Sequence, residues 1–289
     1  MLDRATNALR DAVSRLRGDD GAPADLLASG ERQLSLDTRR ELGLFDQPFS
    51  DQTPPAKLYV DHAIRMQTNV LASQLAENEM LPVVRGESGS GKTSLLIRLM
   101  TDHAGDMHFF VARGRAGLEA RQIVVDMLRM LVRPVPADPS ECYRDLARRL
   151  RALVADGLPA TLVIDDADCL DDQELQNLLS LHDSLRRTLD GRFRMLLGGG
   201  PGLDSRLTEL DSEQLRTGQM VTSDVRPLSR PGIASFLEHR LRAVGLDRDN
   251  PLTDTDLERI HAASGGLPRD VEIAAAAALE ARFGAHPER

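Results

Sequence analysis

The sequence predicts an α/β fold: a three-layer sandwich with helices on both faces of a central parallel sheet, followed by a small helical subdomain. The first observation is that short apolar segments alternate with segments of helical periodicity from residue 81 to about residue 228. Strands that alternate with helices form parallel sheets covered on both faces. The second is a purely helical pattern from residue 229 onward. The third is a glycine-rich turn between the first strand and the helix after it.

The elements follow one another in a regular order. The apolar segments predicted as strands are LPVVR, MHFFVAR, ATLVIDDA, FRMLLGG and MVTSDVRPLS. The helical patterns between them are SLLIRLM, AGLEARQIVVDMLRMLV and ELQNLLSLHDSLRRTL. The C-terminal helices are predicted at GIASFLEHRLRAVGL, DTDLERIHAAS and RDVEIAAAAALEARF.

The segment before the sheet is organised differently. Residues 2–17 place apolar side chains on one helical face, which either covers the domain or packs on a partner. The stretch GDDGAPAD ends this helix, an irregular segment follows at 31–58, and a further helix is predicted from about 61 to 78. We therefore divide the chain into an N-terminal helix and linker (1–30), an α/β domain (31–228) and a helical lid subdomain (229–289).

Composition and charge exclude several classes of protein. The 289 residues carry a net charge of −9, and the pI is near 5.3. Nucleic-acid binding needs basic surface, so a nucleic-acid partner is not expected. The two cysteines, Cys142 and Cys169, form neither a disulfide framework nor a metal quartet. The N-terminus lacks an apolar signal core and no segment approaches the ~20 apolar residues of a membrane span, so we expect a cytoplasmic chain without direct membrane insertion.

The glycine-rich turn has the pattern of a phosphate-binding loop. Residues Gly86-Glu87-Ser88-Gly89-Ser90-Gly91-Lys92-Thr93 match G-x-x-x-x-G-K-[ST] without a gap, after a predicted strand and before a predicted helix. Backbone N–H groups of such a turn surround phosphate oxygens, and the helix adds its N-terminal amides and dipole. Lys92 would place its charge on the β- and γ-phosphates, and the Thr93 hydroxyl would bind Mg²⁺. The alternative is a flexible Gly/Ser turn, which the strand–turn–helix context disfavours.

A second signal lies downstream, where the apolar segment Leu162-Val163-Ile164 runs into two acids. Asp165, at the carboxyl end of the predicted strand, would hold Mg²⁺ directly or through water. Asp166 would act as the base or orient the attacking water. For Asp168 the sequence favours a simpler role, the N-cap of the next helix.

Several segments together resemble one family of proteins. They are LGLFDQPFS, GESGSGKTSLL, LVIDDAD, LLGGGPGLDSRL, LRTGQMVTSDVRPLS and SGGLPRD, spread over about residues 41 to 283. The chain resembles the AAA+ ATPases, and within them the ExeA-type ATPases of general secretion and MSHA-pilus biogenesis, a group that includes the ATPase domain of DamX-like cell-division proteins. The resemblance implies a P-loop NTPase core with Walker A and Walker B motifs and a helical lid.

The resemblance also implies roles for two arginines. Arg269, in SGGLPRD, would contact the γ-phosphate from the lid of the same chain. Arg216 would be an arginine finger that reaches the nucleotide of a neighbouring subunit. For each, an ordinary surface arginine is the alternative.

The remaining nucleotide contacts follow from the same resemblance. Tyr59 and Val60, with Leu267 and Pro268, would wall the adenine pocket, although Tyr59 fits a core position equally well. The loop and the start of its helix, through Ser94, would bind the phosphates. ATP rather than GTP rests on the resemblance alone.

Three departures from the family pattern bear on the rate of hydrolysis. The second acid is Asp166 where the family usually has Glu, and the shorter side chain would position water less well. Gly198, Gly199 and Gly200 stand at the end of the fourth strand, where a polar residue is expected. Gly218 stands where the family usually has a second arginine. Together they suggest firm nucleotide binding with slow or conditional turnover.

The function implied by the resemblance is a Mg²⁺-dependent ATPase that converts ATP and water to ADP and phosphate, slowly or under stimulation by a partner. Lid closure would couple nucleotide state to assembly of a bacterial envelope machine for secretion, pilus biogenesis or cell division. The partners implied are further copies of the chain and an envelope or membrane protein that could recruit it to the inner membrane. Two alternatives stay open: a nucleotide-gated binding module with little turnover, and a DNA-dependent helper ATPase, which the net charge disfavours.

Overall fold

The computed structural model describes residues 13–16, 32–50, 54–77, 80–131, 134–210 and 220–284. The chain divides into two compact units. The first comprises Met1–Asp20, Asp61–Gly86 and Lys92–Val225, and the second comprises Gly21–Val60, Glu87–Gly91 and Arg226–Arg289. The domains predicted at 1–30, 31–228 and 229–289 stay predictions.

A five-stranded, all-parallel sheet forms the centre of the first unit. In chain order the strands are β1 (Leu81–Arg85), β2 (His108–Arg113), β3 (Ala160–Asp165), β4 (Phe193–Gly199) and β5 (Met220–Asp224). Their spatial order is β2-β3-β4-β1-β5. Every residue of β3 and β4 is buried, in agreement with the mainly apolar composition of these two strands.

Most α-helices of the described residues coincide with predicted helical segments, but the helix at Leu36–Leu42, in the segment predicted to be irregular, and the helix at Leu203–Thr208 were not predicted. In chain order the helices are α1 (Leu36–Leu42), α2 (His62–Glu77), α3 (Lys92–Asp102), α4 (Ala120–Met130), α5 (Pro139–Leu153), α6 (Asp172–Thr188), α7 (Leu203–Thr208), α8 (Arg230–Arg242), α9 (Asp254–Ser264) and α10 (Pro268–Phe283). Short 3₁₀ turns lie at Pro55–Lys57, Val154–Asp156 and Ala167–Cys169.

Helices cover both faces of the sheet in the first unit. Leu162 and Ile164 of β3 belong to a core cluster with buried side chains of α4, α5 and α6. Val163, between them, must point to the opposite face, because side chains alternate along a strand. Helices α2 and α3 contact the sheet, and none of their described buried side chains belongs to that cluster, so they cover the opposite face. The predicted sandwich of helices around a parallel sheet is therefore confirmed.

The strand register brings chemically important residues to one edge of the sheet. Arg113 of β2 pairs with Asp165 of β3, and Arg85 of β1 pairs with Gly199 of β4. The carboxyl ends of these parallel strands therefore lie side by side. Open α/β sheets bind their ligands outside this edge.

One predicted helix start is wrong. The N-cap of α6 is Asp171, whose side chain accepts a hydrogen bond from the Glu174 N–H at 2.8 Å. Asp168, the predicted cap, lies earlier, in the 3₁₀ turn that follows β3. The turn Ala167–Cys169 inserts extra residues before the helix, and the sequence pattern did not reveal it.

The second unit is built from α1, α8, α9 and α10 around its own apolar core. The alanine-rich α10 packs closely, with Ala275 and Ala276 buried. The second unit also contains a buried ion cluster, in which Glu272 of α10 binds Arg240 of α8 at 2.9 Å and Arg32 at 3.1 Å.

The N-terminal helix predicted at 2–17 lies mostly outside the described residues. Residues 13–16 are helical, and Val13 and Leu16 are buried. Across the part of the chain that the structure describes, no helix is long and apolar enough to cross a membrane.

Candidate functional site

Helix α3 begins at Lys92, directly after the glycine-rich turn, as the motif requires. The Lys92 side chain is buried, and its Nζ donates a hydrogen bond to the carbonyl oxygen of Gly86 at 2.8 Å. An ammonium group is thereby held across the start of the turn. Ser94, which was also predicted to contact the phosphates, is exposed on the first turn of α3.

The hydroxyl of Thr93 and the carboxylate of Asp165 are in direct contact. Thr93 Oγ1 donates a hydrogen bond to Asp165 Oδ2, although the two residues are far apart in sequence. Asp165 is the last residue of β3 and is fully buried. Burial, and next the neighbouring Asp166 carboxylate, raise the pKa of Asp165 to about 6. The two predicted metal ligands are therefore brought together at the carboxyl edge of the sheet.

Asp166 has an unusual backbone and a defined side-chain partner. Its φ of 50° and ψ of 37° lie in the left-handed region, which non-glycine residues rarely adopt. Arg113 Nε donates to Asp166 Oδ2 at 2.9 Å. A Cβ on Gly114 would lie 2.1 Å from the Asp166 carbonyl oxygen, so this approach of β2 to the turn requires glycine.

The rest of the loop belongs to the second unit and contacts the start of α10. The backbone N–H of Arg269 donates to the Gly89 carbonyl oxygen at 3.2 Å, and its guanidinium donates to Ser88 Oγ at 3.2 Å. Gly89 has a φ of 80°, and a Cβ there would lie 2.8 Å from Arg269 Cβ. At Gly91 the approach is looser: an added Cβ would lie 3.9 Å from Pro268 Cγ, an ordinary van der Waals distance.

Two further loop residues differ in their surroundings. Glu87 is exposed, and its carbonyl oxygen accepts from the Ser90 N–H at 3.2 Å, which closes the turn. The Ser90 side chain is buried, and its hydroxyl has no hydrogen-bond partner among the described residues. A buried hydroxyl is costly to leave unpaired, so this loop suits a polar ligand.

Tyr59, a predicted wall of the adenine pocket, packs within the second unit. Its ring meets the rings of Phe236 and His239 edge-on, with each pair of centroids 5.6 Å apart. Val60 follows it and is half-buried. The adenine role of Tyr59 and Val60 stays a prediction. The contacts of Tyr59 in this structure are those of the alternative, a core position.

Arg216 and Gly218 lie outside the described residues. Two neighbours of the acidic strand that the sequence did not single out, Arg113 and Gly114, do contact it. Their position at the end of the second predicted strand could have indicated this contact. The sequence does not show, however, that the second strand lies next to the acidic strand.

Magnesium suits the donors at this edge. Mg²⁺ takes oxygen ligands, often one or two from the protein, and keeps several waters or phosphate oxygens. The Thr93 hydroxyl and the Asp165 carboxylate are such donors, and a cation would relieve the cost of burying that carboxylate beside Asp166. Within the described ranges no group of three or more His, Cys, Asp or Glu side chains could hold a metal ion.

Comparison with known families identifies one match. The profile of a family described as an AAA domain matches residues 75–207, a little under half of the chain, from the end of α2 to α7. This segment contains the glycine-rich turn and both acids of the β3 end. None of the curated proteins compared with the sequence matches it.

Three solved structures have a similar fold. Cdc6p from Pyrobaculum aerophilum has a TM-score of 0.61 and 20% identity, covering 83% of this chain and 67% of that one. The Aeropyrum pernix ORC1 protein, solved in complex with DNA, has a TM-score of 0.58 and 16% identity, with 81% and 64% covered. The ORC2 protein of the same organism, solved as ADPNP–ADP complexes, has a TM-score of 0.56 and 17% identity, with 81% and 64% covered.

These comparisons establish the fold as the P-loop AAA+ α/β type, with a five-stranded parallel sheet and flanking helices. This chain spans 64% of the length of each of the two ORC proteins. The nucleotide and DNA named with those structures belong to those proteins.

Proposed function

We propose that this chain binds ATP through residues 86–93 and hydrolyses it to ADP and phosphate in a Mg²⁺-dependent reaction. The observation that supports the proposal best is the contact between Thr93, which follows the phosphate-loop lysine, and Asp165, which ends the acidic strand. A generic Gly/Ser turn would have no reason to place a helix-start hydroxyl on a buried carboxylate. The fold and the AAA domain match agree with this function.

Phosphate binding would use backbone and side-chain donors of the loop. The N–H groups of Glu87 to Thr93 are the donors expected to surround the β- and γ-phosphates. Lys92 Nζ, now held by the Gly86 carbonyl oxygen, would turn to the phosphates. Arg269, which already lies along Ser88 and Gly89, would add a guanidinium to the loop.

Hydrolysis would use the acids at the end of β3. Magnesium, bound by Thr93 and Asp165, would neutralise charge on the phosphate oxygens. Asp166, held by Arg113, would accept a proton from the attacking water. Arg216 would contribute from a neighbouring subunit.

The finer role of the protein follows from the family resemblance. We propose an ATPase of the ExeA type that assembles as a nucleotide-dependent homo-oligomer and acts on a protein partner of the bacterial envelope in secretion, pilus biogenesis or cell division. The adenine contacts assigned to Tyr59, Val60 and Pro268 belong to the same proposal.

A second candidate, a nucleotide-gated binding module with little turnover, is favoured by one observation. Asp166 is engaged by Arg113 at 2.9 Å and has a shorter side chain than Glu, so its availability as a base is reduced. In that case nucleotide state alone would control binding of the partner.

The experiment separates binding from turnover. Titration calorimetry with Mg-ATP, Mg-ADP and Mg-GTP should detect binding of the adenine nucleotides, and a phosphate-release assay should detect ATP turnover. An Asp166→Asn variant should bind Mg-ATP within about twofold of the wild type but lose turnover by about 100-fold or more. Absence of heat with every nucleotide would refute the proposal. Binding without turnover would select the second candidate.

A further inference from the structure

The carboxylate of Asp168 lies against the glycines at the carboxyl end of β4. A Cβ added to Gly199 would lie 2.8 Å from Asp168 Oδ1, and a Cβ added to Gly200 would lie 2.8 Å from Asp168 Oδ2. Real Cβ atoms essentially never approach a heavy atom so closely. At Gly200 the Asp168 carboxylate occupies the space in which a side chain would otherwise lie; at Gly199 it shares that space with Leu203, whose Cδ2 would lie 2.7 Å from an added Cβ.

The turn that carries Asp168 is held in place by an arginine of α7. Arg206 donates to the carbonyl oxygen of Asp168 at 2.8 Å and to that of Leu170 at 2.7 Å. The same guanidinium also binds the Asp172 carboxylate at 2.7 Å. Three contacts from one planar group fix the turn, so the Asp168 side chain projects from a rigid base.

The three acids at and after the end of β3 differ in their partners. Asp165 accepts from Thr93, and Asp166 accepts from Arg113. Asp168 is exposed, and among the described residues its carboxylate takes part in no hydrogen bond or ion pair. It does not cap α6, because Asp171 does. Of the three, the Asp168 carboxylate is therefore the one open to a ligand from solvent.

We infer that Asp168 is a positioning residue for the hydrolysis proposed above, supplying the polar group that Gly198–Gly200 do not. Its carboxylate accepts a hydrogen bond from the attacking water and orients the water oxygen toward the γ-phosphorus. A new P–O bond forms, the bond between the γ-phosphorus and the bridging oxygen breaks, and ADP leaves with that electron pair. The proton of the water passes to Asp166 and then to solvent. This inference rests on the proposed ATPase activity.

In this interpretation Gly200 and Asp168 act together, because the glycine leaves the Asp168 carboxylate in the position from which it orients the water. Positioning a reacting water is sensitive to small displacements, and about 1 Å can change a rate by about 100-fold. A side chain on Gly200 would displace the Asp168 carboxylate without touching any other group within 4 Å. The absence of a side chain at Gly200 therefore keeps free the space that the Asp168 carboxylate occupies.

The test changes each partner of the contact between the Asp168 carboxylate and Gly200. Asp168→Ala removes the carboxylate, and Gly200→Ala displaces it from the strand side. Gly202→Ala, in the same turn, is the matched control, because a Cβ there meets nothing within 4 Å and φ is −94°. Turnover of saturating Mg-ATP and the Kd for Mg-ATP are measured for each variant and for the Asp168→Ala, Gly200→Ala double variant.

We expect both single variants to lower kcat by about tenfold or more while the Kd for Mg-ATP changes by less than about twofold. The double variant should be no slower than Asp168→Ala, because both changes remove the same interaction. Gly202→Ala should retain wild-type turnover.

Other outcomes count against the inference. Wild-type turnover in Asp168→Ala, or independent losses that multiply in the double variant, would overturn it. If the wild-type chain binds nucleotide but shows no turnover, the inference about Asp168 is overturned, whereas the proposed nucleotide binding is not. Absence of binding would instead refute the proposed function itself. Thermal melts monitored by circular dichroism show whether each variant is folded. Asp168→Asn, which keeps the shape of the side chain, replaces Asp168→Ala if that variant does not fold.

Discussion

At the scale of single residues, the conformation of Asp166 depends on two neighbours, Arg113 at the end of β2 and Gly114 directly after it. The left-handed backbone of Asp166 is costly for a residue with a side chain, by about 1–3 kcal/mol. Arg113 binds its carboxylate, and Gly114 leaves room for its carbonyl oxygen. Such strain is retained where the surrounding structure holds it, which is typical of functional positions.

Gly114→Ala tests this arrangement. The added Cβ would lie 2.1 Å from a backbone oxygen, so the Asp166 turn must move. We expect ATP turnover to fall by about 100-fold, with a loss of about 1–3 kcal/mol in the free energy of unfolding. Phosphate release and urea denaturation measure the two effects.

The control is Gly105→Ala, where an added Cβ meets nothing within 4 Å. It should change neither quantity appreciably. Unchanged turnover in Gly114→Ala would show that the position of Asp166 does not limit hydrolysis.

The lysines provide a second residue-scale test, because the chain has two, Lys57 and Lys92. Lys92→Ala should weaken Mg-ATP binding by about 10- to 100-fold, the effect of losing a charge-assisted hydrogen bond of about 1.5–3 kcal/mol. Calorimetry measures it. Lys57, whose Nζ donates to the Ala243 carbonyl oxygen at 3.2 Å, is the matched control and its alanine variant should bind normally. Equal affinities for the two variants would exclude the predicted role of Lys92.

At the scale of elements, α6 carries a buried histidine that makes stability depend on pH. His182 Nδ1 lies 3.6 Å from Asp183 Oδ1, and its ring lies against that of Phe193. Burial is the main cause that lowers the pKa of His182 below its usual 6.5; Arg186 and Arg194 lower it further, and Asp183 opposes them. The folded chain therefore keeps the ring neutral, and the unfolded chain binds the proton more readily.

The sign of the effect follows from linkage. The contribution of His182 is complete above pH 6.5, the unfolded value, and is lost as the pH falls toward the lower pKa of the folded state. Urea denaturation between about pH 7.5 and pH 5 should show a smaller decline for His182→Leu than for the wild type. His62→Leu, at an exposed position, should decline like the wild type. Identical declines for all three would show that His182 titrates normally.

In the second unit, the ion cluster of Arg32, Arg240 and Glu272 links α8 and α10. Glu272→Gln would leave two buried guanidinium groups without their carboxylate, and we expect a loss of about 3–5 kcal/mol in the free energy of unfolding. Glu258→Gln breaks the exposed pair with Arg230 and should cost at most about 1 kcal/mol. Urea denaturation compares the two. Similar losses would mean that burial of the cluster contributes little to its strength.

At the scale of the whole molecule, assembly is the property that nucleotide should control. We expect the mass in solution, measured by light scattering, to increase with a non-hydrolysable ATP analogue and Mg²⁺ relative to ADP or no nucleotide. A ligand that binds the assembled state better shifts the population toward it. Lys92→Ala should not respond. A wild-type chain that binds the analogue but keeps the same mass would rule out nucleotide-dependent homo-oligomers.

Much of the architecture followed from the sequence, which also predicted the residues proposed here for the core of the site. Strand–helix alternation predicted the parallel sheet, and local spacing predicted that Lys92 and Thr93 start a helix after a tight turn. Asp165 was predicted because an acid at the end of a buried strand must lie at the ligand edge of the sheet. These predictions depend on periodicity and on motifs a few residues long, which are local properties of a chain.

The tertiary structure decided the rest. The pairing of Arg113 with Asp166, the close approach of Gly114 and the seat of Asp168 on Gly199 and Gly200 all join segments that are distant in sequence. Strand order and register determine which of these segments meet, and no local pattern encodes them. The sequence by itself determined the strands and helices around the sheet and predicted a phosphate loop, whereas the fold alone decided which side chains surround each acid, because that depends on distances between strands.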